Sequence, residues 1–315
     1  MARFLSRRLL ASAGTLLGVL VAVFLLLSAA PGDSARLTLI GHGPIGARSP
    51  EALEAFRQLH GLDRPIPARL LAWLGSAARL DLGRSFRDGR PVTERIAETL
   101  PATLTVNALA LLLAILLAVP LGVAGARRPG GAADRAGSLL LDALFSLPSF
   151  TLGLLLLLLF AVELRWVPVF ADLSLGLRGI ALPVVTLALV ALAPIARVTR
   201  RTVGEALSSI PALSGRARGE SGREETLRAL RRAAPAFAGL GAALVPQLVA
   251  GSVLVERVFG LAGTGQLLAD SVFSRDLPTV LGLTLVSGLA VVVATLAGDV
   301  VAAFADPRIA EGEEP

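Results

Sequence analysis

Apolar residues run through this chain in long blocks, not at the alternating spacing of a water-soluble fold. Crossing a bilayer core takes ~20 apolar residues as a helix. Six blocks come near or above that length: 9–30, 102–126, 139–162, 180–196, 234–255 and 278–304. The second holds Pro120 and Gly122. The third holds Asp142, Ser146, Pro148 and Ser149 ahead of a leucine run, and the short fourth block holds Pro183 and Pro194. Proline removes a helix donor, so the second and fourth are predicted as interrupted spans. The fifth block carries Pro235 and Pro246. Trp166 follows the third, where an aromatic boundary residue is expected. Leu9–Ala30 is longer than the roughly 7–15 apolar residues of a cleaved signal peptide, so a retained helix is preferred over that rival.

Between the first two blocks, residues 31–100 are polar and charged, and they read as a small outer domain. Ser49 fits an N-cap and Pro50 the first position of a helix that continues through Phe56. A second amphipathic helix spans 66–80, with Trp73 turned inward. Leu82–Phe86 and Gly89-Arg90-Pro91 are rich in turn residues. The chain divides into residues 1–100 (first helix plus outer domain), a five-helix core over 101–304 and a tail over 305–315. The fold class is an all-α integral membrane protein with six transmembrane helices.

Composition sharpens this picture. Of 315 residues, 54% are hydrophobic, far too apolar for a soluble domain of this length. All 30 basic residues are arginine. A phosphate-gripping G-x-x-x-x-G-K-[ST] loop needs a lysine, so this polypeptide does not build one. Any ATP that drives it is held by another subunit. The net charge of +6 raises the question of nucleic acid, but the arginines cluster beside apolar blocks, where topology already demands them. With the N-terminus inside, the inner pieces carry 16 arginines and the short outer loops four. Six spans with both termini cytoplasmic fit that distribution. There is no cysteine, and the two histidines, His42 and His60, lie apart in a polar segment, so no metal site is expected. An enzyme would need a clustered acid/base constellation that this sequence lacks. An autonomous carrier or channel stays open as a rival class.

Residues 197–233 form an arginine-rich loop between two spans. Glu205-Ala206-Leu207 extends the fourth helix. Pro211 ends it and starts a short helix through Ala217. Gly219 to Gly222 is a turn, and Glu224 to Ala234 returns as an amphipathic helix. The bland reading is a solvated loop that obeys charge topology. The sharper one is a docking lever, because a short helix held between two spans transmits a push to both. Polar groups at membrane depth are Asn107, Asp142, Ser146, Ser149, Thr186, Gln247 and Asp299; such groups face a bundle interior or wet cavity. They are candidate pathway residues, with interhelical pairing the alternative for Asp142 and Asp299. Pro120, Pro148, Pro183, Pro194 and Pro246 are candidate hinges, with ordinary kinking the alternative. Residues 260–273 are too polar to span.

The ordered motifs resemble the permease subunits of dipeptide, oligopeptide and nickel ABC importers, specifically the member of each pair with a large domain after its first helix. The residues that carry the resemblance begin with Leu59-His60-Gly61-Leu62-Asp63-Arg64-Pro65-Ile66-Pro67, Asp81–Phe86, Gly89-Arg90-Pro91-Val92 and Leu100–Leu104. They continue through Ser146-Leu147-Pro148-Ser149-Phe150, Val255-Glu256-Arg257-Val258-Phe259, Gly263-Thr264-Gly265-Gln266-Leu267-Leu268, Arg275-Asp276-Leu277-Pro278 and Asp306-Pro307-Arg308-Ile309. The resemblance implies a type I importer permease fold and a coupling element at Glu205 and Pro211-Ala212-Leu213-Ser214-Gly215-Arg216-Ala217-Arg218-Gly219. Pro211 and Leu213 depart from the family pattern there. It also implies a binding-protein contact around Gly263, Thr264, Gly265 and Gln266. The implied partners are a second homologous permease, two cytoplasmic ATP-binding subunits, an extracytoplasmic substrate-binding protein and membrane lipid. ATP and Mg sit on the partner ATPases, and this chain binds no cofactor. The implied cargo is a di- or oligopeptide, with nickel chelates, glutathione or glycans as alternatives. Reversing Arg216 and Arg218 to glutamate is expected to lower transport-coupled ATP hydrolysis.

Overall fold

The computed structural model describes residues 2–29 and 50–305, and every regular element among them is helical. The N-cap expected at Ser49, His42, the Asp306–Ile309 motif and the tail lie outside the described residues. The helices are α1 (Ala2–Ala29), α2 (Pro50–Leu59), α3 (Ile66–Ala77), α4 (Val92–Arg127), α5 (Ala132–Ser146) and α6 (Ser149–Leu156, continuing in wider π-helical turns over Leu157–Glu163). They continue with α7 (Leu177–Leu207), α8 (Ile210–Ala217), α9 (Gly222–Arg232), α10 (Ala234–Phe259), α11 (Thr264–Phe273) and α12 (Leu277–Ala305). Five of these, α1, α4, α7, α10 and α12, are long and apolar enough to cross a bilayer. The third apolar block is instead a pair, α5 and α6, bent by 102°. Leu147 is the cause: a residue before proline is pushed out of the helical region, and its ψ is 131°.

Two expected interruptions do not occur. α4 runs unbroken through Pro120 and Gly122 for 36 residues, starting ten residues before the apolar block. α7 runs unbroken through Pro183 and Pro194 for 31 residues. Pro183 leaves the Gly179 carbonyl without its intrahelical donor, and the Asp172 N–H takes that carbonyl at 3.2 Å. A neighbouring backbone group thus removes the cost that would otherwise break the helix.

The chain forms two compact units. The first comprises Met1–Leu9, Leu104–Leu261 and Val291–Pro315. α7 is its hub, with α5, α6, α9 and α10 packed on it. Small residues allow the close approach: Ala188, Ala191 and Ala193 are fully buried. Helix association in lipid relies on such small side chains, because lipid supplies little hydrophobic drive between helices. Gly122 shows the tolerance, since a Cβ there would stand 2.6 Å from Thr199 Cβ and 2.7 Å from the Ala196 carbonyl. Gly153 likewise fits against Phe259 and Thr186, and Gly298 against Ala242.

The second unit comprises Leu10–Thr103 and Ala262–Ala290. Its core joins Leu82, Val92, Ile96, Leu267 and Leu283, with a neighbouring cluster of Phe24, Leu277 and Leu281. Trp73 packs against both clusters, inward as its helix spacing predicts. The turn-rich stretch closes as a small hairpin. Ser85 N–H donates to Arg90 O at 2.9 Å and Val92 N–H to Gly83 O at 3.0 Å.

Candidate functional site

The arginine-rich loop folds as a helical hairpin at the end of α7. Serines terminate the long helix: Ser208 and Ser209 hydroxyls donate back to the carbonyls of Gly204 and Ala206, at 3.1 and 2.7 Å. Such back-bonding competes with continued helix. Ser209 is extended, and α8 then starts with Pro211 in its first turn, where a missing N–H costs nothing. Gly219 makes the return turn at φ +81°, a conformation that glycine adopts without strain. Ser221 and Glu224 form a complete capping box that opens α9 two residues before the position read from the sequence. The Ser221 donors hold the Glu224 carboxyl below its ordinary range.

Arginines brace this hairpin from within. Arg216 Nε donates to Glu225 Oε1 at 2.6 Å, and its guanidinium also reaches the Leu207 carbonyl at 3.2 Å. Arg228 pairs with Glu220, Arg232 donates to Ser209 Oγ at 3.2 Å, and Arg127 of α4 donates to the Gly222 carbonyl. Gly215 is buried, and a Cβ there would collide with the Glu220 carboxylate. Ala212 is also buried, and Val203, Leu207 and Ala229 form the core beneath. α8 turns two large apolar side chains outward: Ile210 is 79% exposed and Leu213 54%. Pro211, Ser214, Ala217 and Arg218 share its surface, and Arg218 sits 3.5 Å from Glu220. Arg216 is thus tied into the hairpin while its side chain stays half exposed on the same surface. Glu205 lies on the α7 surface and pairs with Arg201 at 3.0 Å.

The polar residues of the spans divide by environment. Asp142 pairs with Arg197 at 2.5 Å, and Asp299 pairs with Arg8 at 3.3 Å, so both join neighbouring helices. Thr186 is fully buried and donates to the Leu182 carbonyl at 2.7 Å, so it lines no open surface of this chain. Ser146 is exposed and donates to the Asp142 carbonyl. Pro120, Pro148, Pro246 and Gln247 are exposed, while Asn107 and Ser149 are half-buried. One pair escaped the sequence reading: Asp134 accepts two bonds from Arg200, at 2.6 and 2.7 Å, and a third from Gly130 N–H at 2.9 Å. Only folding brings residues 66 positions apart into such a bidentate fork. It borders a cavity of about 140 Å³ among α4, α5 and α7.

The second unit has its own polar centre, at Asp276. Its carboxylate, 1% exposed, accepts from Ser85 Oγ (2.5 Å), Phe86 N–H (2.9 Å), Thr279 Oγ1 (2.7 Å) and Arg95 (3.1 Å). Two motifs nearly two hundred residues apart meet on this one side chain. Nearby, Thr264 donates through its N–H and its hydroxyl to Thr103 Oγ1, at 2.8 and 3.0 Å. Gly263 and Gly265 are buried and Thr264 and Gln266 half-buried, so this segment is packed inward. α11 also presents Val272 and Phe273, the latter 75% exposed.

Five membrane-length helices, a bent sixth pair and an arginine-braced hairpin mark a multi-pass membrane protein of the transport class. The chain belongs to the binding-protein-dependent transport system inner membrane components, a family of transport permeases whose pattern matches residues 118–311. The N-terminal pattern of binding-protein-dependent transport system membrane components matches residues 1–107. The chain is 33% identical to the oligopeptide transport system permease protein AppB of Bacillus subtilis, over 98% of this chain and 99% of that protein. It is 34% identical to a putative peptide transport system permease protein of Brucella abortus, over 98% and 99% of the two chains. A probable peptide ABC transporter permease protein of Sinorhizobium fredii is 32% identical, over 97% and 98%.

Proposed function

We propose that this chain is one permease subunit of an ATP-driven peptide importer. It crosses the membrane six times, counting α5 and α6 as one bent span, with both termini in the cytoplasm. Residues 31–100 then form a small extracytoplasmic domain. A second, homologous permease completes the translocation pathway, two cytoplasmic ATPases dock below, and a peptide-binding protein docks outside. The relatives' names support peptide as the cargo. The observation that carries the reading is the α8–α9 hairpin, with an apolar pair, Ile210 and Leu213, held outward on a short helix whose other side is locked by ion pairs.

The mechanism follows from that construction. An ATPase groove that closes on nucleotide moves the apolar ridge of α8. Arg216, bonded to both Glu225 and the end of α7, makes the hairpin move as one body. α7, the hub of its unit, carries the displacement to α5, α6 and α10. The exposed prolines at 148, between α5 and α6, and 246, in α10, are the points where those helices flex, and Pro120 is the corresponding point in α4. No bond of the substrate is made or broken. Purification from its native membrane in mild detergent, followed by mass spectrometry, tests the assembly. Two nucleotide-binding subunits and a second permease should accompany the chain. A chain that purifies alone and transports without ATP is an autonomous carrier, and the proposal fails.

A further inference from the structure

Within the second unit lies an open cavity of about 510 Å³. That volume is in the range of small-molecule sites. Part of its lining is apolar, from Phe24, Trp73, Phe86, Leu277 and Leu281. Its charged lining is three arginines, Arg64, Arg69 and Arg84, against one carboxylate, Asp81. That carboxylate is already engaged, accepting Gly83 N–H at 2.9 Å. Arg84 donates to the Gly89 carbonyl. Arg64 and Arg69 have no carboxylate partner among the described residues. Arg69 is half-buried, its guanidinium 5.7 Å from the Phe24 ring centre. Burial pushes its pKa below the ordinary value. Trp73 adds a second anomaly: its indole N–H is buried and meets no acceptor among the described residues.

A half-buried cation without an anion and a buried N–H without an acceptor both destabilise the fold. One occupant removes both costs: an anion whose oxygens meet Arg64, Arg69 and the Trp73 N–H, and whose hydrocarbon lies along Phe24 and Leu281. We propose that this cavity binds the phosphate headgroup of an anionic phospholipid. The location selects the lipid over a soluble anion. Phe24 lies near the end of α1, and Leu277 and Leu281 lie at the start of α12, and both helices are of membrane-spanning length. The cavity thus sits at the level where a bilayer places its headgroups. A tryptophan and arginines at that level are the side chains that such a boundary favours.

The chain has two tryptophans, so Trp166→Phe leaves Trp73 as the sole reporter. The full chain in neutral detergent is titrated with phosphatidylglycerol brominated near the top of its acyl chain, and separately with equally brominated phosphatidylcholine. Phosphatidylglycerol should quench Trp73 at several-fold lower concentration. Arg69→Gln and Arg64→Gln should each raise that concentration about fivefold, leaving phosphatidylcholine quenching unchanged. Exposed Arg64 carries the test should Arg69→Gln elute as misfolded protein. Equal quenching by the two lipids, or unchanged selectivity in both arginine variants, overturns the proposal. Competition by glycerol phosphate at concentrations comparable to the lipid assigns the site to a soluble phosphate and overturns the lipid assignment.

Discussion

Replacing Asp276 with alanine should open the hairpin at residues 82–91 without touching a membrane-facing residue. The carboxylate is 1% exposed, and its loss strands the Ser85 hydroxyl, the Phe86 N–H and the Thr279 hydroxyl at once. Arg95 keeps Asp88, at 3.5 Å, and the Ser85 hydroxyl oxygen, at 2.8 Å. Removing one partner of a buried charge pair costs ~3–5 kcal/mol. The remaining Asp88 contact places this site at the lower end, about 3 kcal/mol. At ~1.4 kcal/mol per decade, the open fraction rises about a hundredfold. Arg84 and Arg87 are exposed trypsin sites in that turn. When reclosing outpaces cleavage, the cleavage rate follows the open population. Limited trypsinolysis of the purified chain, read by mass spectrometry, should therefore show cleavage at Arg84 and Arg87 accelerated by about two orders of magnitude. Asp276→Asn, which keeps one acceptor oxygen, should fall between. Cleavage of the alanine variant within about twofold of wild type would refute the assignment of Asp276 as the anchor.

Gly122→Ala should destabilise the α4–α7 contact by ~1–3 kcal/mol, since the new methyl meets Thr199 and a backbone carbonyl that does not yield. It should lower the yield of monodisperse protein after detergent extraction, whereas Gly14→Ala, with open space around it, should not. His60 stacks 4.3 Å from the Phe56 ring and 4.7 Å from Phe86. Burial lowers its pKa below the ordinary 6.5, with the Asp276 charge opposing. A base with a lowered folded pKa stabilises the fold fully above its unfolded value. That contribution fades as pH falls from about 6.5 through the folded value. Trypsin cleavage at Arg57, normalised to an unfolded control substrate at each pH, should therefore quicken between pH 7.5 and 5.5, by a factor that His60→Leu abolishes; identical pH profiles would contradict this.

Much of this architecture was legible because lipid imposes a simple rule: long apolar blocks become helices. The helices over Pro50–Leu59 and Ile66–Ala77, the α7–α8 break before Pro211 and the glycine return at Gly219 were readable from turn and cap chemistry. Three features were not. Proline alone does not say whether a helix breaks. Pro183 is absorbed because Asp172, in the loop ahead of α7, lends an N–H to Gly179, whereas Pro148 pushes Leu147 out of the helical region and its segment bends by 102°. A charge pattern does not show an arginine's partners, so the bonds of Arg216 to Leu207 and Glu225 were not readable. Nor were the polar centres at Asp276 and Asp134 readable. Their partners, Ser85 and Arg200, lie 191 and 66 residues away, and no local periodicity encodes such pairs.

The central claim is that motion enters through the apolar ridge of α8. Its most direct test is ATP-dependent peptide uptake by proteoliposomes that contain this chain with its permease partner, ATPases and binding protein, comparing wild type with the Ile210→Asp, Leu213→Asp double variant. Burying two carboxylates in an ATPase groove carries a desolvation cost of several kcal/mol. The variant should insert and fold normally yet lose uptake, and its ATPases should fail to co-purify. Uptake at the wild-type rate with this ridge charged, or uptake without ATP, would contradict the account.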